Sequence, residues 1–79
     1  MNARVDHWFV AKVLPLEAEL DSFLRHHLRG SSDVADVRQD VLVRVYKAAE
    51  TDPPGNPRAF VYAVARNLLI DRFRRERIV

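Results

Sequence analysis

Arginine and aromatic side chains recur at helical spacing through the last third of this 79-residue chain. Counted at about 100° per residue, Phe60, Val64, Asn67, Asp71 and Arg74 fall on one line, with Tyr62, Arg66, Leu69, Phe73 and Arg77 on the line beside it. Proteins hold single-stranded nucleic acid by stacking rings on unpaired bases while Arg or Asn hydrogen-bonds the base edge or the backbone. The plainer reading makes Phe60 and Tyr62 core residues and Asn67 a satisfied polar group inside a bundle. Phe60, Val64 and Phe73 are expected in the core, whereas Tyr62, Arg66 and Asn67 are assigned to a nucleic-acid face. The terminal cluster Arg72, Arg74, Arg75 and Arg77 would then meet phosphates, which gives affinity without sequence choice.

Other chemistries find less support. His7, His26 and His27 do not share metal-ligand spacing on one helix face, since His26 and His27 diverge by about 100°. Ser22, Ser31 and Ser32 have no identifiable base and orienting acid, and the glycine-bearing loop is too short to cradle a phosphate in the P-loop manner. No catalytic residue, metal ligand or cofactor site is assigned, and the chain reads as a non-enzyme.

Charge is distributed unevenly. Residues 1–57 carry seven Lys/Arg against nine Asp/Glu and residues 58–79 six Arg against two acids, within a whole-chain net charge of +2. A basic end on an acidic-to-neutral body fits a domain that touches phosphate on one side only. A solvated helix C-terminus, where the dipole favours cations, gives the same pattern. With no cysteine, disulfides and thiolate metal sites are excluded, and a small domain without staples fits a reducing, cytoplasmic interior. No apolar run is long enough to span a membrane, and no cationic leader precedes an apolar stretch at the N-terminus.

Elements that could position these residues emerge from the apolar spacing as three helical stretches, without a strand. The first runs from about Asp6, as N-cap, to Arg29, with Phe9, Val13, Leu16, Leu20, Phe23, Leu24 and Leu28 forming one stripe. Pro15 must kink it or divide it into a short helix and a longer one. Gly30 serves as its C′ residue. Ser31, Ser32 and Asp33 offer caps for a second helix to about Glu50, with Asp33 and Asp36 suited to its dipole. Thr51-Asp52-Pro53-Pro54-Gly55-Asn56 is a turn-rich loop. Asn56 as cap and Pro57 at the first position start a third helix to about Arg75, apolar nearly all round from Ala59 to Ile70, as in a central helix. The fold class is therefore all-α: one domain, a compact bundle of three to four helices.

On the second helix, Val34, Val37, Val41, Leu42, Val45, Ala48 and Ala49 take a broad apolar arc. Asp36, Gln39, Asp40, Val43 and Lys47 take the opposite side with Asp33, and Tyr46 sits at the margin. Any surface helix needs a polar face; Val43 among the acids favours a protein contact. Arg38 projects from the apolar arc, where it either snorkels or pairs with an acid such as Asp71.

The two blocks Asp33-Val34-Ala35-Asp36-Val37-Arg38-Gln39-Asp40-Val41-Leu42-Val43-Arg44-Val45-Tyr46 and Asn56-Pro57-Arg58-Ala59-Phe60, with Ala65-Arg66-Asn67-Leu68-Leu69-Ile70-Asp71 after them, carry a resemblance. From Phe9 to Arg77 the chain resembles the first conserved domain of bacterial extracytoplasmic-function sigma factors, the iron-uptake type above all. That resemblance implies a transcription initiation factor domain that docks on core RNA polymerase and recognises and melts the promoter minus-ten element. Asp36, Gln39 and Asp40 match the family's contacts to the beta-prime clamp helices, a face that Val43, Tyr46 and Lys47 extend. It also implies that the loop from Thr51 and Asp52 through Asn56 to Arg58, with Tyr62, Arg66 and Asn67 below it, grips the non-template strand and captures a flipped base. Flipping costs a few kcal/mol of unstacking. Sigma factors of this type are often held by membrane anti-sigma proteins, so an inhibitor is a further implied partner. The alternative function is a helical interaction module sequestered by such an inhibitor without direct DNA contact.

Three positions depart from the family pattern: Arg38 stands where an apolar residue is common, Ala63 where an Arg is frequent, and Pro53-Pro54-Gly55 matches nothing expected. Members usually continue into a linker and a helix-turn-helix domain, so a chain ending at Val79 reads as a fragment of a longer factor.

Overall fold

A computed structural model describes residues 2–29 and 32–78. The expected caps at Gly30 and Ser31 lie outside the described residues. Four α-helices follow one another among the described residues: α1 (Ala3–Lys12), α2 (Glu17–His27), α3 (Val34–Thr51) and α4 (Pro57–Ile78), with a short 3-10 turn at Leu14–Leu16 between α1 and α2. Among the described residues no helix is long and apolar enough to cross a membrane.

Local chemistry explains the boundaries. The Asn2 side chain accepts from the backbone N–H groups of Arg4 (3.1 Å) and Val5 (3.2 Å), so the first helix starts before Asp6, and Asp6 is not its N-cap. The helical ladder needs N–H donors that Pro15 lacks, and the chain passes through the 3-10 turn before resuming as α2. The expected division at Pro15 is met by two helices of 10 and 11 residues. Asp33 stands at the start of α3 without a side-chain capping bond; its carboxylate is paired with Arg72 instead. Asn56 Oδ1 accepts from Ala59 N at 3.1 Å, which caps α4 as anticipated.

The core is a contiguous cluster: Val13 just past the end of α1, Leu20, Leu24 and Leu28, then Val37, Val41, Leu42 and Val45, then Val61, Ala65, Leu68 and Leu69. Phe9, Leu16, Phe23, Phe60 and Val64 pack against it half-buried. No polar or charged residue is buried among the described residues, so apolar burial carries the fold. Helix α3 packs against α1, α2 and α4, while α4 packs chiefly on α3 and α2. The centre of the bundle is therefore shared between α3 and the first half of α4.

At 22 residues, α4 is about 33 Å long and outruns the bundle. Among its described side chains the last buried one is Leu69, while Ile70 and Phe73 are 51% and 40% exposed. Phe73 is thus not a core residue, because the helix has passed the ends of its neighbours by the time it arrives. This overhang accounts for the 41 × 23 × 21 Å extents.

Candidate nucleic-acid and protein interfaces

With Val37, Val41, Leu42, Val45 and Ala49 turned inward on α3, helical geometry leaves Asp36, Gln39, Asp40, Val43 and Lys47 outward, and all five are exposed. Asp40 and Arg44 form an i,i+4 pair at 3.5 Å. Tyr46 is half-buried and tied down: its hydroxyl donates to Asp6 Oδ1 at 2.5 Å, and its ring meets Phe9 edge-on at 5.6 Å. The hydrogen bond to the Asp6 carboxylate, with some desolvation, pushes the Tyr46 phenol above its ordinary value of 10.0. Gln39, Leu42, Val43 and Tyr46 share a shallow groove of about 350 Å³ with Phe9, Leu14 and Glu17. The outer side of α3 is thus a polar strip edged by an apolar trough.

Asp52 ends α3 in extended conformation, its N–H donating to Ala48 O at 3.1 Å. The loop beyond it is exposed except at Pro54. At its far end Arg58 and Tyr62 converge on Glu19 of α2: Arg58 Nη1 lies 3.0 Å from Glu19 Oε1, and the Tyr62 hydroxyl donates to the same oxygen at 3.3 Å. The Arg58 guanidinium sits 5.9 Å from the Tyr62 ring centroid, and Phe23 meets that ring edge-on at 5.1 Å. Burial first, then the Glu19 charge and hydrogen bond, raises the Tyr62 phenol from 10.0. Tyr62 is therefore half-buried and held at its tip rather than freely displayed.

The six arginines of α4 divide into groups. Arg58 is paired with Glu19, and Arg72 with Asp33 and, at 3.6 Å, Glu76. Arg66, Arg74 and Arg77 lie within about 80° of one another around the helix, and Arg75 about 180° from Arg66. All four are exposed and make no ion pair among the described residues. Asn67 is exposed beside Arg66. Ile70, Phe73, Arg74 and Arg77 line a hollow of about 520 Å³ on this outward side. The Arg38 question is settled by α2: Arg38 Nη1 meets Asp21 Oδ1 at 2.5 Å while Arg25 Nε holds Asp21 Oδ2 at 2.8 Å. The partner is Asp21, not Asp71, which is exposed.

The pairings of Glu19, Asp21 and Asp6 went unnoticed in the sequence because their partners lie 43, 17 and 40 residues away. No local spacing signals such pairs.

Among the described residues the chain is an all-helical bundle with an acidic outer strip on α3 and arginines beside aromatic residues on α4. Residues 14–78 match the sigma-70 region 2 family, and the chain belongs to that family. Sigma-70 region 2 domains serve transcription rather than catalysis, through RNA polymerase binding and recognition of the promoter minus-ten element. No curated protein matches the chain in sequence, and no solved structure matches it.

Proposed function

We propose that this chain is the polymerase-docking and promoter-melting domain of an extracytoplasmic-function sigma factor of the iron-uptake type, acting in the cytoplasm where polymerase works. The observation that carries the reading is the exposed strip Asp36, Gln39, Asp40, Val43 and Lys47 on α3, which presents polar contacts beside an apolar trough. Such a mixture of polar groups and apolar area suits a helical partner surface, here the clamp helices of the beta-prime subunit. Tyr46 stiffens the edge of the strip through Asp6 rather than offering its hydroxyl.

The loop from Thr51 and Asp52 to Arg58 receives the displaced non-template strand. Asn67 and Arg66 supply hydrogen bonds, Tyr62 a ring edge, and Arg74 and Arg75 phosphate contacts from two sides of the overhang. Arg72 serves chiefly to tie α4 to the start of α3. Binding to a beta-prime clamp-helix fragment tests the reading, with Gln39→Ala/Asp40→Ala as the disabling variant. Retained affinity in that variant would remove the main support.

A second reading is favoured by one observation. Ile70 and Phe73 are 51% and 40% exposed beside Arg74 and Arg77, an apolar-cationic face that an acidic inhibitor could cover. Sequestration by an anti-sigma factor would then alternate with promoter binding.

A further inference from the structure

Two exposed apolar surfaces of this chain carry opposite charge. The first is the stripe Ile70, Phe73, Arg74 and Arg77 on the overhang of α4, spaced i, i+3, i+4 and i+7 along one side of the helix. Ile70 and Phe73 are exposed apolar residues, and the charges beside them are cations. The second is the trough of about 350 Å³ between α1, the 3-10 turn and α3, where Leu14 and Val43 are exposed apolar residues. Its lining carries Glu17 and, among the described residues, no cation. Asp36 and Asp40 stand beside it on α3, with Lys47 at its far end.

These surfaces cannot meet within one chain. Arg72 pairs with Asp33 at the start of α3, so the remainder of α4 runs past that end as uninterrupted helix. Val43 lies about 15 Å along α3 in the opposite direction. We propose that the overhang of one copy seats in the trough of a second copy, with Ile70 and Phe73 against Leu14 and Val43, and Arg74 and Arg77 toward Glu17 and Asp36. The spacing is that of a helix laid into an apolar groove, and the opposite charges of the two faces set its orientation. Each copy gives a different face, so the contact is heterologous and either propagates head to tail or closes into a ring. A seated overhang covers Val43 and Gln39, so self-association excludes any other partner of the α3 strip.

Sedimentation equilibrium of the full chain at low salt tests this, at concentrations up to about 1 mM, the range that a small interface calls for. The mean mass should rise with concentration and fall back as salt is raised. Ile70→Glu with Phe73→Glu disables the overhang, and Val43→Arg disables the trough by opposing a cation to Arg74 and Arg77. These positions are exposed, and circular dichroism should show both variants folded. Each variant alone should stay monomeric. Their equimolar mixture should form a dimer that grows no further, because one intact overhang and one intact trough remain. Glu17→Lys, a milder trough variant, should weaken association about threefold. An unaltered chain that stays monomeric throughout, a mixture that fails to dimerise, or association that survives Val43→Arg, as pairing of two overhangs would give, overturns the proposal.

Discussion

Glu19 restrains Arg58 at the start of α4, and where the proposed strand path crosses Arg58, removing that charge should strengthen strand binding. The Glu19 carboxylate holds Arg58 at 3.0 Å, with the two side chains 35% and 64% exposed. A pair at that exposure contributes about 0.2–1 kcal/mol, and a phosphate arriving at Arg58 must displace it. Glu19→Gln keeps an oxygen that accepts from the Tyr62 hydroxyl, so the α2–α4 contact survives. The change frees Arg58 and removes one negative charge beside it. Recovering the pair's contribution raises affinity for single-stranded DNA by up to about fivefold at low salt. If Arg58 gains one phosphate, the slope of log affinity against log salt steepens by about 0.7. Fluorescence anisotropy over a salt series reads both quantities. Glu17→Gln is the control: it removes the same charge from the same helix about 200° away, in the groove shared with Gln39. The reasoning fails if Glu19→Gln binds no tighter than Glu17→Gln, because Arg58 would then lie off the strand's path.

Asp21→Ala leaves Arg38 over the apolar arc of α3 without its 17%-exposed partner. We expect a loss of about 1–2 kcal/mol, read as a fall in Tm of about 4–16 °C for a domain of this size. Arg38→Leu added to Asp21→Ala should restore most of that loss, so additive effects in the double-mutant cycle would refute the pairing. Both tyrosines should titrate above 10.0 in the folded chain and near it in urea, followed by ultraviolet absorbance. The fold favours the neutral phenol, so this stabilisation is whole below the unfolded value and disappears as pH rises through the folded values. Phenols that titrate alike in the folded and unfolded chain would contradict the Asp6 and Glu19 contacts.

Features written in a few adjacent residues were legible in the sequence. Asn56-Pro57 marks the start of α4, Pro15 breaks the first stretch, and the spacing of Val37, Val41 and Val45 fixes which side of α3 turns outward. These depend on backbone geometry and periodicity, which act over a turn or two. The first cap was misplaced because Asn2, Asp6 and the residues between them allow several starts, and only the Tyr46 contact shows Asp6 to be engaged elsewhere. Phe73 read as core because periodicity cannot report where neighbouring helices end. The division of the α4 arginines between ion pairs and the open side depends on Glu19 and Asp33, which chain folding brings near from distant positions.

The central claim is that α3 presents Gln39 and Asp40 to the transcription machinery. Its most direct measurement is a titration of the chain with a purified beta-prime clamp-helix fragment, by calorimetry or anisotropy, for the unaltered chain and for Gln39→Ala/Asp40→Ala. Truncating two contacts near the middle of the strip should weaken binding by about tenfold or more, while Arg66→Ala on the other face leaves it unchanged. Equal affinity of the double variant and the unaltered chain, with both folded, would contradict the account.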